Sequence, residues 1–234
     1  MKKIILECLL FPAAVLFSFS LSAQDPQRIL SNVYKNFLKV KDYSADANIK
    51  TEIPFLKMLP INAKVYFKQK NKFRVVSKSI AILPKQNFDQ VYGLFADSNA
   101  YTAVPQGTEK IGTVLTNIIS IIPNSDTTDL VLGKFWIDTQ KSIILKSQLT
   151  TKTNGTILAE YTYGKFAEYG LPDNATFTVD VKKFKIPKAV AADLNSNTPP
   201  PDEKGKENKK GKIYLTMTNY VINKGIADSV FTDK

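Results

Sequence analysis

The chain has 234 residues, a formal net charge of +11, no histidine and a single cysteine, Cys8. Without histidine there is no imidazole base for a nucleophile and no imidazole metal ligand, and no Ser-x-x-Lys spacing replaces them. Cys8 sits in an N-terminal apolar run, so the part of the chain that folds is expected to hold itself together without disulfides.

Lys2 and Lys3 precede the apolar stretch Ile4 to Phe19, and Ser20-Leu21-Ser22-Ala23 ends in the small residues a signal peptidase accepts. Residues 1–23 read as a cleavable signal peptide cut after Ala23, because the stretch is short for a membrane span and contains Glu7 and Pro12. Cys8 follows Glu7 and precedes most of the apolar run, the wrong context for lipid attachment. Cleavage removes two lysines and one glutamate and leaves a basic, periplasmic chain, residues 24–234, of a size that one β-rich domain can occupy.

Asp25-Pro26 is a helix cap followed by proline at the first helical position. Leu30, Val33, Tyr34, Phe37 and Leu38 then fall on one helical face, predicting an amphipathic helix that lies against a sheet. From Tyr43 the period changes to two: Tyr43, Ala45, Ala47, Ile49 and Thr51 alternate with polar residues. Pro54 and Pro60 bracket a connection, Ile61, Ala63, Val65 and Phe67 alternate again, and Lys70-Asn71-Lys72 turns into Phe73 and Val75. Between Pro84 and Asp97, Phe88, Val91, Tyr92 and Phe95 return to helical spacing, predicting a short helical flap weakened by Gly93. Further strands are expected over 101–104, 114–122, 130–137 and 142–151, with Asn154-Gly155 as a hairpin turn into 156–163. Phe177, Val179 and Val181 and then Ile213, Leu215 and Met217 close the pattern, giving nine or ten mostly antiparallel strands in an α+β, mostly β, chain.

Residues 188–212 interrupt it with Asn195-Ser196-Asn197-Thr198, Pro199-Pro200-Pro201 and the lysines Lys204, Lys206, Lys209, Lys210 and Lys212. Such a composition buries too little to offset its ordering entropy and reads as a disordered loop inside the domain. Its charge suits a solvated tether, or a contact with anionic headgroups or an acidic partner. Nucleic acid is not expected as a partner of an exported chain.

The order of these elements, with Val65-Tyr66-Phe67-Lys68-Gln69-Lys70-Asn71-Lys72-Phe73-Arg74, the strand Trp136-Ile137-Asp138, and Tyr161-Thr162-Tyr163 leading to Leu171-Pro172, resembles the LolA-like superfamily of outer-membrane lipoprotein-sorting and carrier proteins. The resemblance spans nearly all of the exported chain. It implies an incomplete, strongly curved antiparallel β-barrel whose concavity is plugged by helices and holds acyl chains. The family's hairpin reads basic-Arg-Pro-x-x-Phe; here Lys68 and Phe73 match, whereas Gln69 and Lys70 stand at the arginine and proline positions.

On this reading the protein is a monomeric carrier of lipoprotein acyl chains or another lipid, between an inner-membrane donor and an outer-membrane acceptor. A lipid- or lipoprotein-sensing module of the envelope is the alternative, and a carboxylate-based hydrolase a third reading. The expected cavity lining is Ala47, Val65, Phe67, Val75, Phe135, Ile157 and Tyr161, with Phe88 and Tyr92 closing it from the flap. No cofactor or metal is expected. Asp126, Asp129, Asp138 and Asp180 suit acid and base roles only by residue type and read more naturally as turn or surface residues, so the chain is not expected to be an enzyme.

Overall fold

Asp25 starts the first helix as the sequence predicts: its Oδ1 accepts a hydrogen bond from the backbone N–H of Gln27 at 3.0 Å, with Pro26 in the first turn. The computed structural model describes residues 25–54, 56–70, 72–79, 92–180 and 210–232. Helix α1 (Pro26–Leu38) buries Ile29, Leu30, Val33 and Phe37. These four lie within about 100° of arc at 3.6 residues per turn, and Leu38 falls well beyond it. Leu38 was expected on the buried face and is instead 44% exposed.

Among the described residues eleven strands follow: β1 (Asp42–Ile53), β2 (Leu56–Lys57), β3 (Ile61–Lys68), β4 (Lys72–Ser77), β5 (Tyr101–Ile111), β6 (Val114–Pro123), β7 (Leu130–Asp138), β8 (Ile143–Thr151), β9 (Gly155–Thr162), β10 (Asn174–Asp180) and β11 (Lys210–Ile222). Ten of them form one antiparallel sheet in the order β4-β3-β1-β11-β10-β9-β8-β7-β6-β5, and β2 pairs with the end of β1. The first and last strands of this order do not meet, so the sheet is an incomplete barrel. Helix α1 lies across its inner face, touching β5 and β8.

The period-two pattern of each strand meets its neighbour in register. Thr51, Ile213, Phe177, Ala159, Ser147, Phe135, Ile119 and Pro105 are successive cross-strand partners from β1 to β5; the first seven are buried in one inward row, and Pro105 at the edge is exposed. A second row runs Gly211, Val179, Ile157, Leu149, Gly133, Ile121 and Ala103. A one-residue slip anywhere would turn a whole strand inside out, which ties the register to burial.

Several elements depart from the sequence reading. Strand β5 runs through Pro105 to Ile111, whereas the pattern suggested an end at Val104. Proline is tolerated there because β5 is an edge strand, and the register shifts between Pro105 and Thr108 beside Gly107, at φ +88°. Strand β11 starts at Lys210, so Lys210, Gly211 and Lys212 are strand rather than loop. The rest of the expected loop, the signal segment with Cys8, Val181 and most of the flap with Phe88 lie outside the described residues.

Opposite Ala45, β11 carries a bulge: Ser44 pairs with Val221 and Asp46 with Thr218. Asn219 occupies it at φ +53°, a left-handed conformation asparagine accepts, and donates to Asp46 Oδ2 at 2.8 Å. The extra residue turns Tyr220 inward, where its hydroxyl donates to the Pro172 carbonyl at 2.8 Å.

Candidate functional site

The inner face of the sheet is the site that alternation builds. Small side chains recur along it: on β1 and β3 Ala47 pairs with Ala63 and Ala45 with Val65, and on β8 and β9 Ser147 pairs with Ala159. Gly133 is required on β7, because a Cβ there would stand 2.8 Å from the Phe135 ring and 2.9 Å from Ile121. Small residues let α1 approach the sheet, and Leu30, Val33 and Phe37 fill the space they leave.

At the end of the sheet nearest the C-terminus of α1 the lining becomes aromatic. Phe37 stacks on Tyr92 with ring centroids 4.6 Å apart at 10°, and meets Phe67 at 5.4 Å. Tyr43 packs between Phe67 and Tyr220, which also meets Phe166 edge to face at 5.4 Å. On the other flank Phe95 sets its edge against Phe135 at 5.0 Å and 80°. Such tilted and offset pairs add to the area term that dominates here.

Tyrosine hydroxyls add polarity to this interior, and those of Tyr92, Tyr163 and Tyr161 each find a partner. Tyr92 donates to the Gly170 carbonyl at 3.0 Å and Tyr163 to the Ile144 carbonyl at 2.7 Å. Tyr161 and Ser147 share a hydrogen bond of 3.0 Å. Burial pushes the Tyr161 phenol up to about 12, against a smaller opposing effect of the Ser147 bond, and holds Tyr163 well above the ordinary range. Both stay neutral in water, which suits an apolar enclosure. Gly170, at φ +68°, is where Tyr92 reaches the backbone, and a Cβ would meet its hydroxyl at 3.0 Å.

The structure brings most of the expected lining together. Ala47, Val65, Phe67, Phe135, Ile157 and Tyr161 are buried on the inner face in one apolar cluster with Tyr92. Val75, on edge strand β4, is partly buried against it. Phe88 lies outside the described residues. Sequence reasoning missed Tyr220, Phe166 and Tyr169, which pack on the same cluster. For Tyr220 the signal was present: asparagine before an aromatic residue late in a strand suits a left-handed bulge.

Of the four aspartates that suit acid and base roles by residue type, Asp138 and Asp129 hold turns. Asp138 Oδ1 accepts from the amides of Gln140 and Lys141, and Asp129 holds the Thr153 amide and hydroxyl. Among the described residues no three acidic side chains gather as a metal site would require.

Of two cavities lined wholly by described residues, the larger includes Ala47 and Ala63 among its walls. One of about 790 Å³ borders β1, β3 and β4, with Asp46, Asn48, Asn62 and Lys64 among its walls. Another of about 410 Å³ lies where the tip of the β5–β6 hairpin faces Lys146, Glu160 and Asn174. Among the described residues, α1 and the rings of Tyr92 and Phe95 pack on the inner face.

No family model matches the chain, and no curated protein matches it. Solved structures do. A DUF1329 family protein from Desulfovibrio piger superposes with a TM-score of 0.57 at 13% identity, covering 89% of this chain and 98% of that one. A LolA superfamily protein from Nitrosomonas europaea gives 0.55 at 11% identity, over 89% and 97%. The chain has a LolA-like fold. A domain from Vibrio parahaemolyticus assigned to outer membrane lipoprotein sorting gives the same TM-score of 0.55 at 9% identity, over 88% and 97%. At these identities the likeness is one of fold.

Within the LolA-like fold the hairpin departure acquires a physical account. Gln69, at the position of the family's arginine, donates its amide to the carbonyls of Leu38 at 3.0 Å and Val40 at 2.9 Å, satisfying acceptors at the end of α1. Lys70, at the proline position, has φ +71°, which a proline ring cannot adopt. The turn is therefore built differently, not merely substituted.

Proposed function

We propose that the protein is an exported carrier that takes lipoprotein acyl chains, or another lipid of similar length, onto the inner face of its sheet. The observation that supports this best is the apolar surface running unbroken from β3 to β6, with alanine, glycine and serine recurring along it and one helix for a cover. Each methylene transferred there from water is worth about 0.8 kcal/mol, so a dozen supply roughly 10 kcal/mol before the costs of binding. Hydrophobic transfer needs no polar recognition, and the interior offers little.

Because α1 and the rings of Tyr92 and Phe95 already occupy the face, cargo has to displace them. The turn from Tyr92 to Ala96 is the proposed mover, since Gly93 follows Tyr92 directly and the bonds from Phe95 to Tyr92 and from Ala96 to Gly93 are local. Phe88, shortly before it in the sequence, is proposed to close the site with it. Residues 1–23 are proposed to be removed on export to the periplasm, leaving one domain from residue 24 onward.

Displacement of a fluorescent fatty acid, read alongside circular dichroism, tests the reading. The wild type is expected to bind at micromolar concentration, and Phe88→Asp to bind more weakly while remaining folded. Folded wild-type protein that takes up neither acyl ligand nor lipoprotein would overturn it.

A further inference from the structure

Three separated segments meet at the aromatic end of the sheet: the α1–β1 junction, the β3–β4 turn and the turn after β11. Their backbone groups are spent on one another. Asn223 accepts from the Lys41 amide at 2.7 Å and donates to the Lys39 carbonyl at 2.8 Å. The Gln69 amide N–H reaches the Lys41 carbonyl at 2.8 Å, and the buried Asp42 carboxylate takes the amides of Lys224 and Gly225 at 3.2 Å and 3.0 Å. The result is a tied platform.

Exposed on it are Lys39, Lys41, Lys70 and Lys224. Among the described residues none of them has a carboxylate partner, and Lys39 touches only the Glu168 carbonyl, at 3.5 Å. Two nearby acids are already engaged, Asp42 by those amides and Asp228 by Lys68 at 2.7 Å and Lys72 at 2.9 Å, which leaves Glu168, beside Lys39, to offset four lysines. Lys39 is accounted for by the negative end of α1, but Lys70 and Lys224 are not on a helix. Lys70 moreover holds a left-handed conformation that glycine or asparagine would take more readily.

We propose that this end of the molecule docks on the anionic phosphate headgroups of a membrane. Unpaired ammonium groups fixed on one platform attract a diffuse negative surface without needing directional bonds. Leu38, 44% exposed beside them, offers an apolar contact at headgroup depth. An acidic peptide fits less well, since the backbone of all three segments is already hydrogen-bonded and the lysines stand on a tied surface rather than in a strand-accepting groove. The surface stands apart from the apolar face, so vesicle binding can succeed or fail whatever becomes of the carrier reading.

Vesicle flotation of the exported protein tests it, comparing phosphatidylcholine alone with phosphatidylcholine containing phosphatidylglycerol. The wild type is expected to float only with the anionic vesicles and to be released by salt. Each lysine lost should weaken partitioning by about fivefold, so that Lys41→Glu, Lys70→Glu and Lys224→Glu together abolish it. Reversing Lys78, Lys110 and Lys210 instead, at the same net charge, should leave flotation largely intact, with circular dichroism confirming that both triple variants fold. Equal flotation with neutral vesicles, equal loss in both triple variants, or binding to polyglutamate but not to vesicles would each overturn the assignment.

Discussion

The two faces of the sheet are made by the same strands, one residue apart, and are held by different physics. Inside, Val65 pairs with Val75 and Ile49 with Ile61, and the stabilisation is burial, non-directional and intolerant of charge. Outside, the alternate residues form polar ladders: Lys64 with Asp46 at 2.9 Å, Lys50 with Glu52 at 2.7 Å, Asn48 with Asn62 at 2.8 Å. Exposed pairs of this kind contribute little each. On the outer face Trp136 and its cross-strand partner Ile118 are nonetheless buried, at 4% and 7% exposed; Lys134 and Lys146 lie over the Trp136 ring and Glu109 accepts its indole N–H at 2.6 Å. A face is thus defined by what covers it more than by its side.

Neighbouring valines give the sharpest break of this contrast. Val65→Asp on β3 is expected to cost several kcal/mol in urea unfolding, because the carboxylate is buried without a partner. Val76→Asp, on the outer face of the adjacent strand and half-exposed, is expected to stay within about 0.5 kcal/mol. Similar losses at both would erase the distinction.

Next in size is Gly133→Ala. Its new methyl has to push against Phe135 and Ile121, and overpacking of this kind costs about 1–3 kcal/mol, measurable as a shift of the urea midpoint at constant slope.

The buried Tyr161–Ser147 pair predicts a pH dependence. Its folded-state value of about 12 lies above the ordinary phenol value of 10, so the stabilisation is fully present below pH 10 and is lost as pH rises toward 12. Alkaline unfolding followed by tyrosinate absorbance should start in that window, and Tyr161→Phe should flatten the slope there.

The smallest effect belongs outside. Lys68 and Lys72 hold the Asp228 carboxyl down to about 2. That contribution is present above the ordinary carboxylate range and fades as pH falls through 2. Because Asp228 is solvated, Asp228→Asn should leave the melting temperature unchanged while loosening the C-terminal turn in hydrogen exchange.

Alternation made the sheet legible from the sequence, and the cap made α1 legible, because both are local periodicities. Ala47, Val65, Phe67, Phe135, Ile157 and Tyr161 share the inner face for that reason alone. What local pattern could not carry was anything set by a partner far along the chain. The rotation of α1 that leaves Leu38 outside depends on the sheet it meets. The inward turn of Tyr220 depends on a bulge opposite Ala45, and the work of Gln69 depends on carbonyls about thirty positions earlier. Pro105 misled because proline reads as a stop unless the strand is known to lie at an edge.

Strand β11 lies between β1 and β10, so the last of the described strands is the one that joins the hairpins of residues 42–77 to the meander of 101–180. Each of those halves pairs mainly between neighbours in sequence, and loop closure of that kind is fast. The joining strand pays for the longest separation, from Ile222 back to Tyr43. A chain threading outward from its N-terminus therefore presents two half-sheets that stay unjoined until β11 arrives. The interval before β11 docks is when the protein is most exposed to aggregation and to its quality-control machinery.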